Sequence, residues 1–113
     1  MAVPKPMVSS QVIANYELLS ALTGQMREAA VRGEWDHLVS IELQRGELVA
    51  AMKPVDAVAK LDEATRQRKN QLINKILADD AEIRNLTQAW MGQLQLSMQS
   101  NRQEQRLQNA YGV

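Results

Sequence analysis

The chain has no cysteine and no phenylalanine, and aromatic residues make up only 4% of its 113 positions. Without cysteine there is no disulfide, no thiolate metal site and no thiol nucleophile, which fits a reducing compartment. Without phenylalanine, the interior is left to leucine, isoleucine, valine, alanine and methionine. No apolar run approaches the roughly 18 residues of a membrane-spanning helix, so no membrane insertion is expected. Residues 1–7 carry Pro4 and Pro6 in place of an apolar signal core. A surplus of charge is missing too, since thirteen basic residues balance thirteen acidic ones. Up to Asp56 there are five basic and seven acidic residues, and from Ala57 onward eight and six. Neither half has the positive excess of a nucleic-acid-binding domain, so direct nucleic-acid contact is not expected. The expectation is a cytoplasmic protein folded as one domain over residues 1–113.

The constellations of an enzyme are also lacking. His37 is the only histidine, and no cysteine or second histidine stands ready to complete a metal site or a catalytic pair. Asp79-Asp80-Ala81-Glu82 is acidic but lacks the alternation, turn glycine and distal glutamate of a calcium loop, and reads as a solvated helix face. No glycine-rich phosphate loop or nucleophile motif occurs. No catalytic, cofactor or metal residue is assigned, and no enzyme is expected. Lys60, Arg66, Arg68 and Lys69 form the one basic cluster, which suits either a solvated turn or contact with phosphate or an acidic partner.

What the chain does have is helical periodicity. Residues 62–98 contain no proline and one glycine, Gly92. Leu72, Ile76, Ile83, Leu86, Trp90 and Leu94 recur in steps that hold one helix face. A second row runs beside them through Ile73, Leu77, Asp80, Arg84 and Met91. A coiled-coil seam needs only the first row, so the second is either a wider buried face or a docking surface. Two shorter helices precede this one. Val12, Tyr16, Leu19, Leu22 and Met26 mark the first, which stops at Gly33 in a left-handed cap. Trp35, Leu38, Ile41, Leu48 and Met52 mark the second, with Arg45 interrupting the row and Lys53-Pro54 ending it.

The spacing therefore predicts an all-α fold: an antiparallel bundle of three main helices over about residues 10–32, 34–52 and 60–98. Residues 1–8 are a flexible lead-in. Residues 99–113, rich in glutamine, asparagine and arginine, form a mobile tail with a short, weakly held fourth helix docked through Leu107 and Tyr111. Asp79 and Glu82 have capping-box spacing, so a break there is the competing arrangement. An unbroken third helix is longer than the hairpin beneath it, which leaves Trp90, Met91, Leu94, Leu96 and Met98 to be covered by the tail, a second copy or a partner.

The turn Arg32-Gly33-Glu34-Trp35-Asp36 resembles the corresponding turn of the FliT family of flagellar export chaperones. Ile73 to Leu77 match in character, and Asn109-Ala110-Tyr111-Gly112 match closely. The resemblance covers roughly residues 12–112. It implies a cytoplasmic chaperone of flagellar type III export that holds the filament-cap protein FliD and delivers it to the export ATPase complex and export gate. It further implies that some members restrain the flagellar master transcription activator complex. Carried over by position, the docking face includes Ile73, Leu77 and Arg84. With their neighbours, the expected partner-binding set is Ile73, Ile76, Leu77, Asp80, Arg84 and Met91, taking a client helix in a groove. In that scheme the tail competes with the client for the stripe. A self-associating structural or adaptor protein, covering its stripe as a homodimer, is the alternative.

Overall fold

The computed structural model describes the backbone of residues 5–110 and the side chains of residues 9–98. Three helices follow one another: α1 (Lys5–Arg32), α2 (Trp35–Val58) and α3 (Glu63–Ala110). No strand occurs among the described residues. The chain divides into two compact units, Met1–Ile83 and Arg84–Val113.

The turn from α1 to α2 is set by one residue. Gly33 has φ of 72°, a left-handed conformation that costs a residue without Cβ nothing. Its N–H donates to the Ala30 carbonyl at 3.2 Å, and the Glu34 N–H donates to the Ala29 carbonyl at 2.8 Å. These paired bonds satisfy carbonyls left open at the helix end and reverse the chain within two residues. The third helix is started differently. The Thr65 N–H donates to Asp62 Oδ1 at 2.8 Å, a side-chain cap for one of the unpaired N-terminal donors.

The register of cross-helix contacts in the first unit gives its topology. Going up α1, Tyr16 meets Asp56, Thr23 meets Arg45, and Met26 clusters with Ile41, so α2 runs antiparallel to α1. Glu17 pairs with Arg68 and Arg27 with Glu82, so this part of α3 runs parallel to α1. The result is an up-down-up bundle. Its core has two neighbouring clusters: Leu22, Met26, Ile41 and Ile83 in one, and Leu19, Met52 and Ile76 in the other. Leu48 packs against both. Ordinary ridge-forming aliphatics and two methionines fill the space that phenylalanine occupies elsewhere.

Several expected boundaries move. Residues 5–8, expected within the lead-in, belong to α1, which begins at Lys5. Pro6 is compatible with this, since a first-turn residue has no intrahelical partner for its N–H. The second helix does not end at Pro54 but carries it inside and continues to Val58. Both Pro54 and Ala50, whose carbonyl loses its partner, are exposed, so water can take the lost bond. Val55 to Val58 therefore belong to α2. The third helix passes Asp79 without a break. Among the described residues there is no separate fourth helix: α3 runs on to Ala110 through glutamine, arginine, leucine and glutamate, all good helix formers, with no glycine or proline between Gly92 and Ala110 to stop it. The docking of the tail through Leu107 and Tyr111 lies outside the described side chains.

The extension of α2 beyond Pro54 is tied down by one bond. Tyr16 Oη donates to Asp56 Oδ2 at 2.8 Å. Burial and this carboxylate push the Tyr16 phenol up to about 12 from 10.0. The other oxygen, Asp56 Oδ1, is buried without a hydrogen-bond partner. Tyr16→Phe therefore leaves the carboxylate unsatisfied and costs about 1–3 kcal/mol in chemical denaturation. The raised phenol fixes the pH dependence. Its stabilising contribution is complete below pH 10 and is lost as pH climbs through about 12. Phenolate absorbance should show a step near pH 12 that disappears in Tyr16→Phe.

Candidate functional site

Residues at i, i+4 and i+7 on α3 share a side of the helix, so Ile73, Leu77 and Asp80 form one row. Ile73 is half-buried, whereas Leu77 is 59% exposed. Beside them, α2 and α3 border an open groove of about 340 Å³. Leu19 and Ile76 contribute apolar side chains to it, Val49 and Gly46 line it from α2, and Glu42, Arg45 and Asp80 add charge. Leu77 adjoins Ile76 and sits one turn before Asp80, so it flanks this groove on its α3 side.

The expected partner-binding residues divide by what the fold does with them. Ile76 is buried in the core with Leu19 and Met52, so only its groove-facing edge can reach a ligand. Asp80 is occupied: Arg45 Nη1 donates to its Oδ1 at 2.5 Å, with the two side chains 20% and 29% exposed. Ile73 and Leu77 remain available. Arg84 and Met91 are exposed and belong to the second unit. In that unit residues 88–98 are all exposed, and among them are Trp90, Met91, Leu94, Leu96 and Met98.

The acidic run on α3 is not a solvated face. Asp79 accepts from Lys75 Nζ at 3.1 Å, Asp80 from Arg45 and Glu82 from Arg27 Nε at 2.6 Å. Glu82 and Asp80 thereby tie α3 to α1 and α2 respectively. The Arg27–Glu82 pair is over two-fifths exposed on both sides, so its contribution is small. Arg45–Asp80 is better shielded and belongs to a network. Arg45 also donates to Glu42 Oε2 at 3.1 Å and to Thr23 Oγ1 at 3.4 Å. Thr23 is fully buried and donates to the Leu19 carbonyl at 2.8 Å. Sequence reasoning missed Thr23, Glu42, Gly46 and Val49. The signal was the arginine interrupting the apolar row of α2, which calls for a buried anion on another helix.

Gly46 leaves the α2 wall of the groove bare, and a Cβ added there would meet nothing within 4 Å. Close backbone approach is therefore not its role. Gly46→Ala should stabilise α2 by about 0.5–1 kcal/mol and raise Tm by about 4 °C, checked by thermal unfolding.

His37 is exposed on α2, and no cluster of metal-ligating side chains occurs among the described residues. No described helix is long and apolar enough to cross a membrane.

Comparison with known proteins places this geometry. Residues 13–113 match the family model described as "Flagellar protein FliT". A flagellar protein FliT of Cronobacter sakazakii is 32% identical over 101 residues, covering 87% of this chain and 81% of the relative. Those of Pectobacterium carotovorum and Dickeya chrysanthemi are each 22% identical, over 89% and 90% of this chain and 80% and 85% of theirs. The crystal structure of flagellar protein FliT from Bordetella bronchiseptica superposes with a TM-score of 0.67 at 30% identity, covering 74% of this chain and 95% of that one. A match that spans the helical hairpin, the groove and the whole of α3 has one meaning: this chain belongs to the FliT family of flagellar proteins.

Proposed function

We propose that this chain is a cytoplasmic export chaperone of the flagellar type III system, which binds the C-terminal segment of the filament-cap protein FliD. It holds that segment back from premature assembly and delivers it to the export ATPase complex and the export gate. Family membership supports the flagellar role. The observation that carries the binding mode is Leu77, a large aliphatic side chain 59% exposed beside an open groove on α3.

An amphipathic client segment lays its apolar anchors on Ile73 and Leu77, with the groove past Ile76 and Val49 taking a third. Each large anchor buried contributes about 1.5–3 kcal/mol. Ordering a flexible client costs about 2–5 kcal/mol, so a few anchors give micromolar-range, releasable binding. Arg84 and Met91, in the second unit by itself, offer a partner a positive charge and adaptable apolar surface. Asp80 serves the site indirectly by holding Arg45 in the groove wall. Restraint of the flagellar master transcription activator is a further role within the same reading.

The test is calorimetric titration of the purified protein with the isolated C-terminal segment of FliD. Saturable micromolar binding supports the assignment. No heat and no co-purification with FliD would reject it. The exposed Trp90, Met91, Leu94, Leu96 and Met98 favour a second reading, self-association. A sedimentation coefficient that rises with protein concentration would support that one.

A further inference from the structure

Positive charge gathers where the linker between α2 and α3 meets the first turns of α3. An open pocket of about 400 Å³ there is lined by Ala59, Lys60, Leu61, Arg66, Lys69 and Asn70. No carboxylate lines it. Arg66 has a loose, exposed pairing with Glu63 at 3.8 Å and donates to the Leu61 carbonyl at 3.5 Å, and Lys69 meets the Tyr16 ring with its Nζ 5.3 Å from the centroid. Lys60 has no ion-pair or hydrogen-bond partner among the described residues. Three cations thus border one concavity with little to neutralise them.

What the pocket withholds narrows the occupant. Small anions are commonly held by unpaired N–H groups at a helix N-terminus. Here the Thr65 N–H is taken by Asp62 Oδ1 at 2.8 Å and the Arg66 N–H by the Asp62 carbonyl at 2.9 Å. The same Thr65 bonds hold the Asp62 carboxyl below its ordinary range. The pocket is lined by extended basic side chains together with apolar Ala59 and Leu61. Arg66, Lys69 and Asn70 stand at i, i+3 and i+4 on α3, the spacing at which carboxylates line one face of a partner helix. Arg66 and Lys69, one turn apart, can each meet one of two carboxylates a turn apart on a partner helix.

We propose that this pocket docks an acidic amphipathic segment of a protein partner, its carboxylates reaching Lys60, Arg66 and Lys69 and an aliphatic side chain resting on Ala59 and Leu61. The site is separate from the α2–α3 groove, so it stands or falls independently of client binding there.

The experiment titrates isotope-labelled full-length protein with a synthetic helix-forming peptide of about 20 residues. The peptide carries glutamates at i, i+3 and i+4 beside a row of leucines. Amide shifts should centre on Lys60, Leu61, Lys69 and Asn70 and weaken with added salt. Lys60→Gln, in the exposed linker where no helix is disturbed, should lower affinity about threefold, and Lys60→Gln with Lys69→Gln about tenfold. The same peptide with glutamines for glutamates should not shift these amides. Equal binding of the glutamine peptide, shifts centred elsewhere, or no shifts at all would overturn the proposal. Inorganic phosphate shifting the same amides as strongly as the peptide would overturn it in favour of a small-anion site.

Discussion

Leu77→Asp should lower the affinity for the FliD C-terminal segment at least a hundredfold while leaving the far-ultraviolet helical signal and cooperative unfolding intact. The two halves of this expectation have separate grounds. In the free protein Leu77 is 59% exposed and lies in neither core cluster, so its loss removes little packing. Aspartate is a poorer helix former than leucine by a fraction of a kcal/mol, and repulsion from Asp80 one turn on adds about 0.2–0.5 kcal/mol. In the complex, the substitution removes about 1.5–3 kcal/mol of apolar burial and also buries an unpaired carboxylate. Each 1.4 kcal/mol is a factor of ten, so the sum exceeds a hundredfold. Titration calorimetry with circular dichroism on the same samples reads both halves. Unfolding by the variant would make Leu77 a core residue, and undiminished affinity would remove it from the docking face.

The largest effect on stability should come from Ile41→Ala. Ile41 is 1% exposed and joins α2 to Leu22 and Met26 of α1 and to Ile83 of α3. Truncation deletes methyl groups from a position where all three helices meet, and the bundle cannot close around the gap. The cost is about 2–5 kcal/mol, against a total stability of about 5–15 kcal/mol for a domain of this kind. Urea unfolding should show an earlier midpoint with little change in slope. Leu43→Ala, two residues away on the same helix, is the control. Leu43 is 67% exposed, so its truncation should stay within about 0.5 kcal/mol.

The contrast between Ile41 and Leu43 also shows what periodicity can and cannot reveal. Rows of side chains three and four apart picked out Leu19, Leu22, Met26, Ile41, Met52, Ile76 and Ile83, all of which are buried. They also picked out the second row on α3 through Ile73 and Leu77. Gly33 was legible because a left-handed cap leaves few alternatives. The end of α2 was not, because proline is a stop signal only where its helix has nothing else to hold it. There Pro54 and Ala50, whose carbonyl loses its partner, are exposed to water, and the Tyr16–Asp56 bond, spanning forty positions, anchors the turn beyond them. The charged residues were misread for the same reason. Asp80 and Glu82 looked like solvent-facing acids, since their partners Arg45 and Arg27 lie on other helices and no local window contains both. Fold class follows from patterns within one helix. A groove and its ion pairs depend on which residues of different helices are neighbours, and that information appears only when the helices are packed.

The central claim is that the row flanking the α2–α3 groove receives the client. It is tested most directly by recording backbone amide spectra of the protein with and without the FliD C-terminal segment. The account predicts the largest changes at Ile73 and Leu77 on α3 and at Gly46 and Val49 across the groove. Changes confined to the outer face of α1 or to residues 88–98, with the groove amides unmoved, would contradict it.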